Sequence, residues 1–290
     1  MSWTWYADVG NCTLHAAAWT AEGWSAAGRL AVDLVGTPAG NEQMLGWLHA
    51  AGLEPTDCAA AVLCISSPAR REQMLSYVGQ HLGCPVAIAR EDFPVLVATN
   101  YYEPEQIGVD RLLNALAARE KVGAPCVVVD FGSCLTCDAV DAQGVLVGGA
   151  IAPGLPVVRA GLAQVVPHIA ASLHLEVGAG LKDVGAGLAL PNGPAGAASS
   201  APTTAAQRGS LPLGRSTEEG LTLGLVASLA GSADWLIAQM RRALNAQAPV
   251  IATGGDAVVI ALSCHTEMVV DEMLTLDGLR RAYEQAAGQI

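Results

Sequence analysis

The chain has 290 residues, 52% of them hydrophobic, which suits one large domain or two compact ones with separate cores. Asp and Glu number 27 against 15 Lys and Arg, giving a net charge of -12. That excess repels nucleic-acid phosphates and anionic membranes, so neither is expected as a partner, and any phosphate site must rest on backbone amides, helix N-termini or metal ions.

The opening residues, MSWTWYADVG, lack the basic-then-apolar pattern of a signal peptide. No run of about 18 apolar residues free of breakers occurs, so no transmembrane helix is expected. Trp3 to Gly10, Leu14 to Trp19 and Trp24 to Leu34 alternate and are parted by turn residues, which predicts a β-meander. A helix carrying Met44, Leu45, Trp47 and Leu48 follows. Ala59 to Ile65 reads as a buried strand ended by Ser66, Ser67 and Pro68. A helix from about Arg70 to Leu82 and a short strand in Pro85–Ala89 come next. Residues 104 to 121 predict a helix, with Pro104 in its first turn and Val109, Leu112, Leu113, Leu116 and Ala117 at helical spacing.

The opening pattern then returns. Cys126 to Asp130 is a buried run, Phe131-Gly132 turns, and Leu135 to Val140 and Val145 to Ile151 extend around the turn DAQG. Asp8 and Asp130 begin equivalent Asp-x-Gly turns 122 residues apart, the mark of an internal duplication. The expected fold is α/β: two similar lobes facing one cleft, residues 1–118 and 119–290. The low-complexity stretch 191–210 offers no large apolar side chain and is expected to be a mobile insertion in the second lobe. A long helix from about Thr217 to Asn245, a strand at Val250–Ala252 ending in Thr253-Gly254-Gly255, and a C-terminal helix from Asp277 complete the chain. The eight cysteines are scattered, several of them inside apolar runs, and predict reduced core thiols in a cytoplasmic protein.

Two elements point to chemistry: Asp8-Val9-Gly10-Asn11-Cys12 and Asp130-Phe131-Gly132-Ser133-Cys134-Leu135-Thr136-Cys137-Asp138. A glycine after a strand lets the backbone approach a ligand, and exposed amides in such a turn can hold phosphate oxygens. An Asp at the same strand end would repel phosphate unless a cation lies between, so the pairing suggests a nucleotide bound through metal. A zinc or redox reading of Cys134-Leu-Thr-Cys137 fails, because no second such pair exists and strand residues three apart point to opposite faces. His168 and His174 carry no accompanying acidic ligand pattern.

The order of these elements resembles the type III pantothenate kinases, members of the acetate and sugar kinase, Hsp70 and actin superfamily, over nearly the whole chain, which implies two duplicated RNase H-like (actin-like ATPase) lobes around a central cleft. The resemblance rests on Asp8-Val-Gly-Asn11, Cys64-Ile-Ser-Ser-Pro68, Asn100-Tyr101-Tyr102-Glu-Pro104 with Gly108-Val-Asp110-Arg111, Asp130 to Asp138, Gly149-Ala-Ile-Ala-Pro-Gly154, Gly214-Arg-Ser-Thr217 and Thr253-Gly-Gly255. It implies phosphorylation of pantothenate, the first step toward coenzyme A, with ATP, Mg²⁺ and a monovalent cation, K⁺ or NH₄⁺. By the same resemblance Asp110 is the general base, and Tyr101, Gly108, Val109, Arg111 and Thr217 hold pantothenate. Asp8, Val9, Gly10, Asn11, Cys12, Gly132, Ser133, Gly254 and Gly255 contact ATP and its phosphates. Asp8 organises Mg²⁺, Asp130 binds the monovalent cation, and the protein is a homodimer. The chain departs from the family's usual hydroxyl residue at Cys12 and its usual Thr-Ala at Ser133-Cys134. A non-catalytic relative acting in binding or transcription, and a superfamily kinase of another small molecule, are the competing readings.

Overall fold

The computed structural model describes residues 2–173 and 213–288. The 191–210 stretch and His174 lie outside the described residues. Two compact units are present. Unit 1 holds Met1–Val97, Glu105–Ala117 and Leu274–Ile290, and unit 2 holds Ala98–Pro104 and Ala118–Met273.

Unit 1 is built on β1 (Trp3–Val9), β2 (Thr13–Thr20), β3 (Gly23–Ala31), α1 (Pro38–Ala50), β4 (Cys58–Ile65), α2 (Arg71–His81) and β5 (Val86–Ile88). Its sheet has the order β3-β2-β1-β4-β5, antiparallel through the meander and parallel from β1 to β5. Alternation divides β1. Trp3, Trp5, Ala7 and Val9 join Met44, Leu48, Met74 and Val78 in one core, which leaves Tyr6 and Asp8 on the other face. Thr37 caps α1 by accepting from the Gly40 N–H at 3.2 Å, with Pro38 in the first turn.

Helix α3 spans Val109–Lys121 and begins later than the helical spacing suggests, because Pro104–Gln106 forms a separate 3₁₀ turn. Gly108 sets the break. Its carbonyl accepts from Arg111 and Leu112, and a Cβ there would stand 2.4 Å from Asp110 Oδ1. The final helix, α8 (Leu274–Ala286), packs within unit 1 against β1 and β4. A division of the chain at residue 118 therefore separates α8 from the unit it completes. Its contact with α3 is close: a Cβ on Gly278 would meet the Leu113 carbonyl oxygen at 2.1 Å. Thr275 Oγ1 donates to Asn114 Oδ1 at 2.8 Å across the same seam, where Asn114 is 2% exposed.

Unit 2 repeats the plan with β6 (Cys126–Phe131), β7 (Cys134–Val140), β8 (Leu146–Pro153), α4 (Leu155–Val165), α5 (Pro167–Ala170), α6 (Thr217–Leu244), β9 (Val250–Thr253), α7 (Ala257–Ser263) and β10 (Val269–Val270). Its sheet order is β10-β9-β6-β7-β8, the same meander plus two parallel strands. Val127, Val129 and Phe131 face a core filled by α6 and α7, and Asp130 takes the opposite face. Ser216 caps α6 by accepting from the Glu219 N–H, and Asn245 ends it in the left-handed conformation, φ 49°. Among the described helices α6 is long and apolar enough to cross a membrane, by length and composition only. Its inward face nonetheless packs Leu225, Val226, Leu229, Ala233 and Ile237 into the core of unit 2.

Candidate functional site

In unit 1 the chemistry gathers where β1 and β4 end. Asp8 pairs in register with Cys64 on one side and His15 on the other, so three side chains share the face opposite the core. The turn after β1 closes on itself, with the Gly10 N–H donating to the Thr13 carbonyl at 3.0 Å, and the Cys12 carbonyl accepts from Val32. Asn11 and Cys12 form its tip. The strand ends are tied by the Ser66 N–H donating to the Val9 carbonyl at 3.1 Å.

Cys64 is fully buried, and its Sγ lies 3.9 Å from Ser66 Oγ. Burial, reinforced by the Asp8 and Asp110 carboxylates, pushes its thiol well above the ordinary range, so it stays protonated beside Asp8. Asp110 opens α3. Burial raises its carboxyl above the usual value, against the opposing pull of the Arg111 N–H at 3.0 Å, the Arg111 guanidinium and the Ser66 hydroxyl. Asp8, Cys64, Ser66, Asp110 and buried Arg111 thus form one cluster, with Gly108 and Val109 at the same helix start.

Unit 2 carries the second turn. The Gly132 N–H donates to the Cys134 carbonyl at 3.1 Å, one residue tighter than the Gly10 turn. Gly154 packs on this turn so closely that a Cβ would lie 2.2 Å from the Gly132 oxygen, and its N–H donates to the Ser133 carbonyl. Gly254 adopts φ +101°, and a Cβ there would stand 2.5 Å from both Asp130 Oδ1 and the Phe131 oxygen. Asp130 and Thr253 are register partners, and Thr253 Oγ1 is buried without a hydrogen-bond partner. A Cβ on Gly255 would meet nothing within 4 Å. Structure thus brings Asp130, Gly132, Ser133 and Gly254 to one strand-end cradle. Thr217 begins α6 at an exposed position, and the Tyr101 N–H donates to Thr99 Oγ1, which anchors that segment to β8 through the Leu146 carbonyl. Cys134 is exposed and Cys137 buried, as strand residues three apart should be.

Several neighbours escaped the sequence reading. Cys64 and Ser66 touch the two acidic groups, and only the β1–β4 register exposes that. Asp256 follows the Thr-Gly-Gly turn, donates its N–H to the Phe131 carbonyl, and attracts Arg159 of α4, whose pKa burial lowers.

Two sheets of one topology, each with an Asp-x-Gly turn at the end of its first strand, define an actin-like ATPase fold. In keeping with this class, the activator of 2-hydroxyisocaproyl-CoA dehydratase from Clostridium difficile, solved with bound ADPNP, is a structural neighbour. It aligns with TM-score 0.50 and 12% identity over 99% of this chain and 97% of that one. The family model for type III pantothenate kinase matches residues 5–176. A type III pantothenate kinase from Thermobifida fusca is 31% identical over 82% of this chain and 81% of its own length. One from Thermomicrobium roseum is 38% identical over 63% of this chain and 58% of its own length. The chain belongs to the type III pantothenate kinase family, enzymes that phosphorylate pantothenate on the way to coenzyme A.

Proposed function

We propose that this chain transfers the γ-phosphoryl group of ATP to the primary hydroxyl of pantothenate, with Asp110 as general base. The observation that carries this reading is the Asp110 carboxyl at the first turn of α3, its pKa raised by burial and its position fixed by the Arg111 N–H and Ser66. An alcohol is a poor nucleophile, and a carboxylate whose pKa moves toward neutrality is a better acceptor for its proton. Arg111 beside it suits the carboxylate at the other end of pantothenate, because a guanidinium can bind it bidentately. Gly108, Val109 and Tyr101 complete the assignment of the acceptor site, with Thr217 at the start of α6. Val9, Gly10, Asn11 and Cys12 are assigned to the phosphates, as are Gly132, Ser133, Gly254 and Gly255 with the nucleoside.

The donor groups fit the cations. Asp8 would hold Mg²⁺, which needs only one or two protein carboxylates when phosphates complete its shell. Asp130 would hold K⁺ or NH₄⁺ together with Thr253, whose buried Oγ1 is an oxygen donor without another partner. Bound there, such cations neutralise charge that develops during transfer. Gly254, whose Cβ would stand 2.5 Å from Asp130 Oδ1, leaves that carboxylate clear of a side chain, and Asp8 lies beside its register partner Cys64.

We assign the enzyme to the cytoplasm, which its free thiols favour, and to a homodimer. The outward face of α6 supports the latter: Ala227, Gly231 and 63%-exposed Trp235 line an open groove of about 510 Å³ with Ala152 of β8. Sedimentation analysis checks the dimer. A coupled assay of ADP release with pantothenate, ATP, Mg²⁺ and potassium tests the function. Release above the acceptor-free background, with phosphopantothenate identified by mass, is expected; background-level release would overturn the proposal.

A further inference from the structure

We propose that Cys58 and Cys84 form a reversible dithiol–disulfide couple that clips β4 to β5 when the cell meets a hydroperoxide. Cys58 is the first residue of β4, and Cys84 lies in the turn that leads from α2 into β5. The two Sγ atoms stand 3.4 Å apart, with Cys84 donating to Cys58 Sγ. A disulfide needs a separation of about 2.05 Å, so closure asks for a movement of roughly 1.4 Å. The backbone already supplies the alignment. The Ala61 N–H donates to the Pro85 carbonyl at 2.8 Å, and Ala61 and Val86 are register partners. Gly83, at φ +63°, ends α2 with its N–H on the Val78 carbonyl, which fixes where Cys84 enters.

The two thiols differ in access. Cys58 is buried, 8% exposed, and its S–H donates to the Ala60 carbonyl, whereas Cys84 is partly exposed. Burial first, and the Cys84 sulfur second, push the Cys58 thiol up, so the first oxidation falls to Cys84. The Cys84 thiolate attacks one oxygen of hydrogen peroxide. The O–O bond breaks, Cys84 sulfenic acid forms, and the displaced hydroxide takes up the thiol's proton as water. Cys58 sulfur then attacks the Cys84 sulfur, the S–S bond forms and the S–O bond breaks, and the second hydroxide leaves with the Cys58 proton as water. Two thiols lose two electrons and two protons, and one peroxide becomes two waters. A small dithiol reverses the reaction by exchange.

The clip lies at the end of β4 away from Ser66. Cys58 and Cys64 are six positions apart on the strand, roughly 20 Å at the rise of a strand. Turnover should therefore survive oxidation, while the cross-link constrains the unfolded chain between residues 58 and 84.

The test uses the full chain treated with equimolar hydrogen peroxide, then alkylated with N-ethylmaleimide, measured as intact mass and mapped after digestion. A loss of two hydrogens reversed by dithiothreitol, mapped to Cys58–Cys84, is expected. It should persist in Cys134→Ser and vanish in Cys84→Ser. Melting should rise by about 5 °C in the oxidised wild type and stay unchanged in treated Cys84→Ser. Alkylatable Cys58 and Cys84 after exposed Cys134 has been oxidised would overturn the proposal. So would a link between other cysteines, or a linked protein that melts no higher.

Discussion

Replacing Asp110 by Asn keeps the size of the side chain and most of its hydrogen bonding, including an oxygen for the Arg111 N–H, but removes the capacity to take a proton. Loss of a positioned base costs about 10²–10⁴ in turnover, which is about 2.7–5.4 kcal/mol of transition-state stabilisation. Stability should move the other way. Burial raises the folded-state pKa of Asp110 above its unfolded value. The folded state therefore binds that proton more tightly, and the stability this group contributes is present at low pH and lost as pH rises through the raised pKa. Near neutrality the wild type carries a buried charge that Asp110→Asn lacks, so the variant should melt at the same temperature or higher. Steady-state kinetics with pantothenate across pH, beside thermal melts, separates the two effects. The acidic limb of the wild-type kcat/KM profile should sit above the ordinary carboxylate range and disappear in the variant. Near-normal turnover in Asp110→Asn, or an unaltered acidic limb, would refute the role of this carboxylate.

Exchange of potassium for tetraethylammonium should lower turnover by about tenfold or more, about 1.4 kcal/mol, because the larger ion cannot enter beside Asp130 and Thr253; equal rates would remove the cation from that site. Cys12→Thr restores a hydroxyl at the tip of the Gly10 turn, and kinetics with varied ATP should give equal or higher kcat/KM. Gly278→Ala would place a methyl 2.1 Å from the Leu113 oxygen, a backbone atom that cannot swing aside. The cost of about 1–3 kcal/mol should lower the melting temperature by roughly 3–10 °C, measured by calorimetry.

Much of this was legible in the sequence because it is local. Period-two alternation fixed which face of β1 and β6 is core and which carries Asp8 and Asp130. Small residues after each strand marked the two turns, and the duplication showed as the same pattern met twice. Helix starts were harder. Pro104 suits a first turn, yet α3 waits until Val109, because Gly108 and the Asp110 side chain settle the cap between them. The short elements α7 and β10 gave no periodic signal of their own and form on a sheet already built.

The sequence by itself determined the two β-meanders, their Asp-x-Gly turns and the apolar faces of the long helices, since each follows from neighbours a few residues apart. Tertiary structure alone decided that Cys64 and Ser66 meet Asp8 and Asp110, that Thr253 stands beside Asp130, that Cys58 meets Cys84, and that α8 belongs with the first sheet. Those contacts join residues tens to hundreds of positions apart. They are set by strand register and by how closely glycine lets two backbones approach, and neither is written in any local pattern.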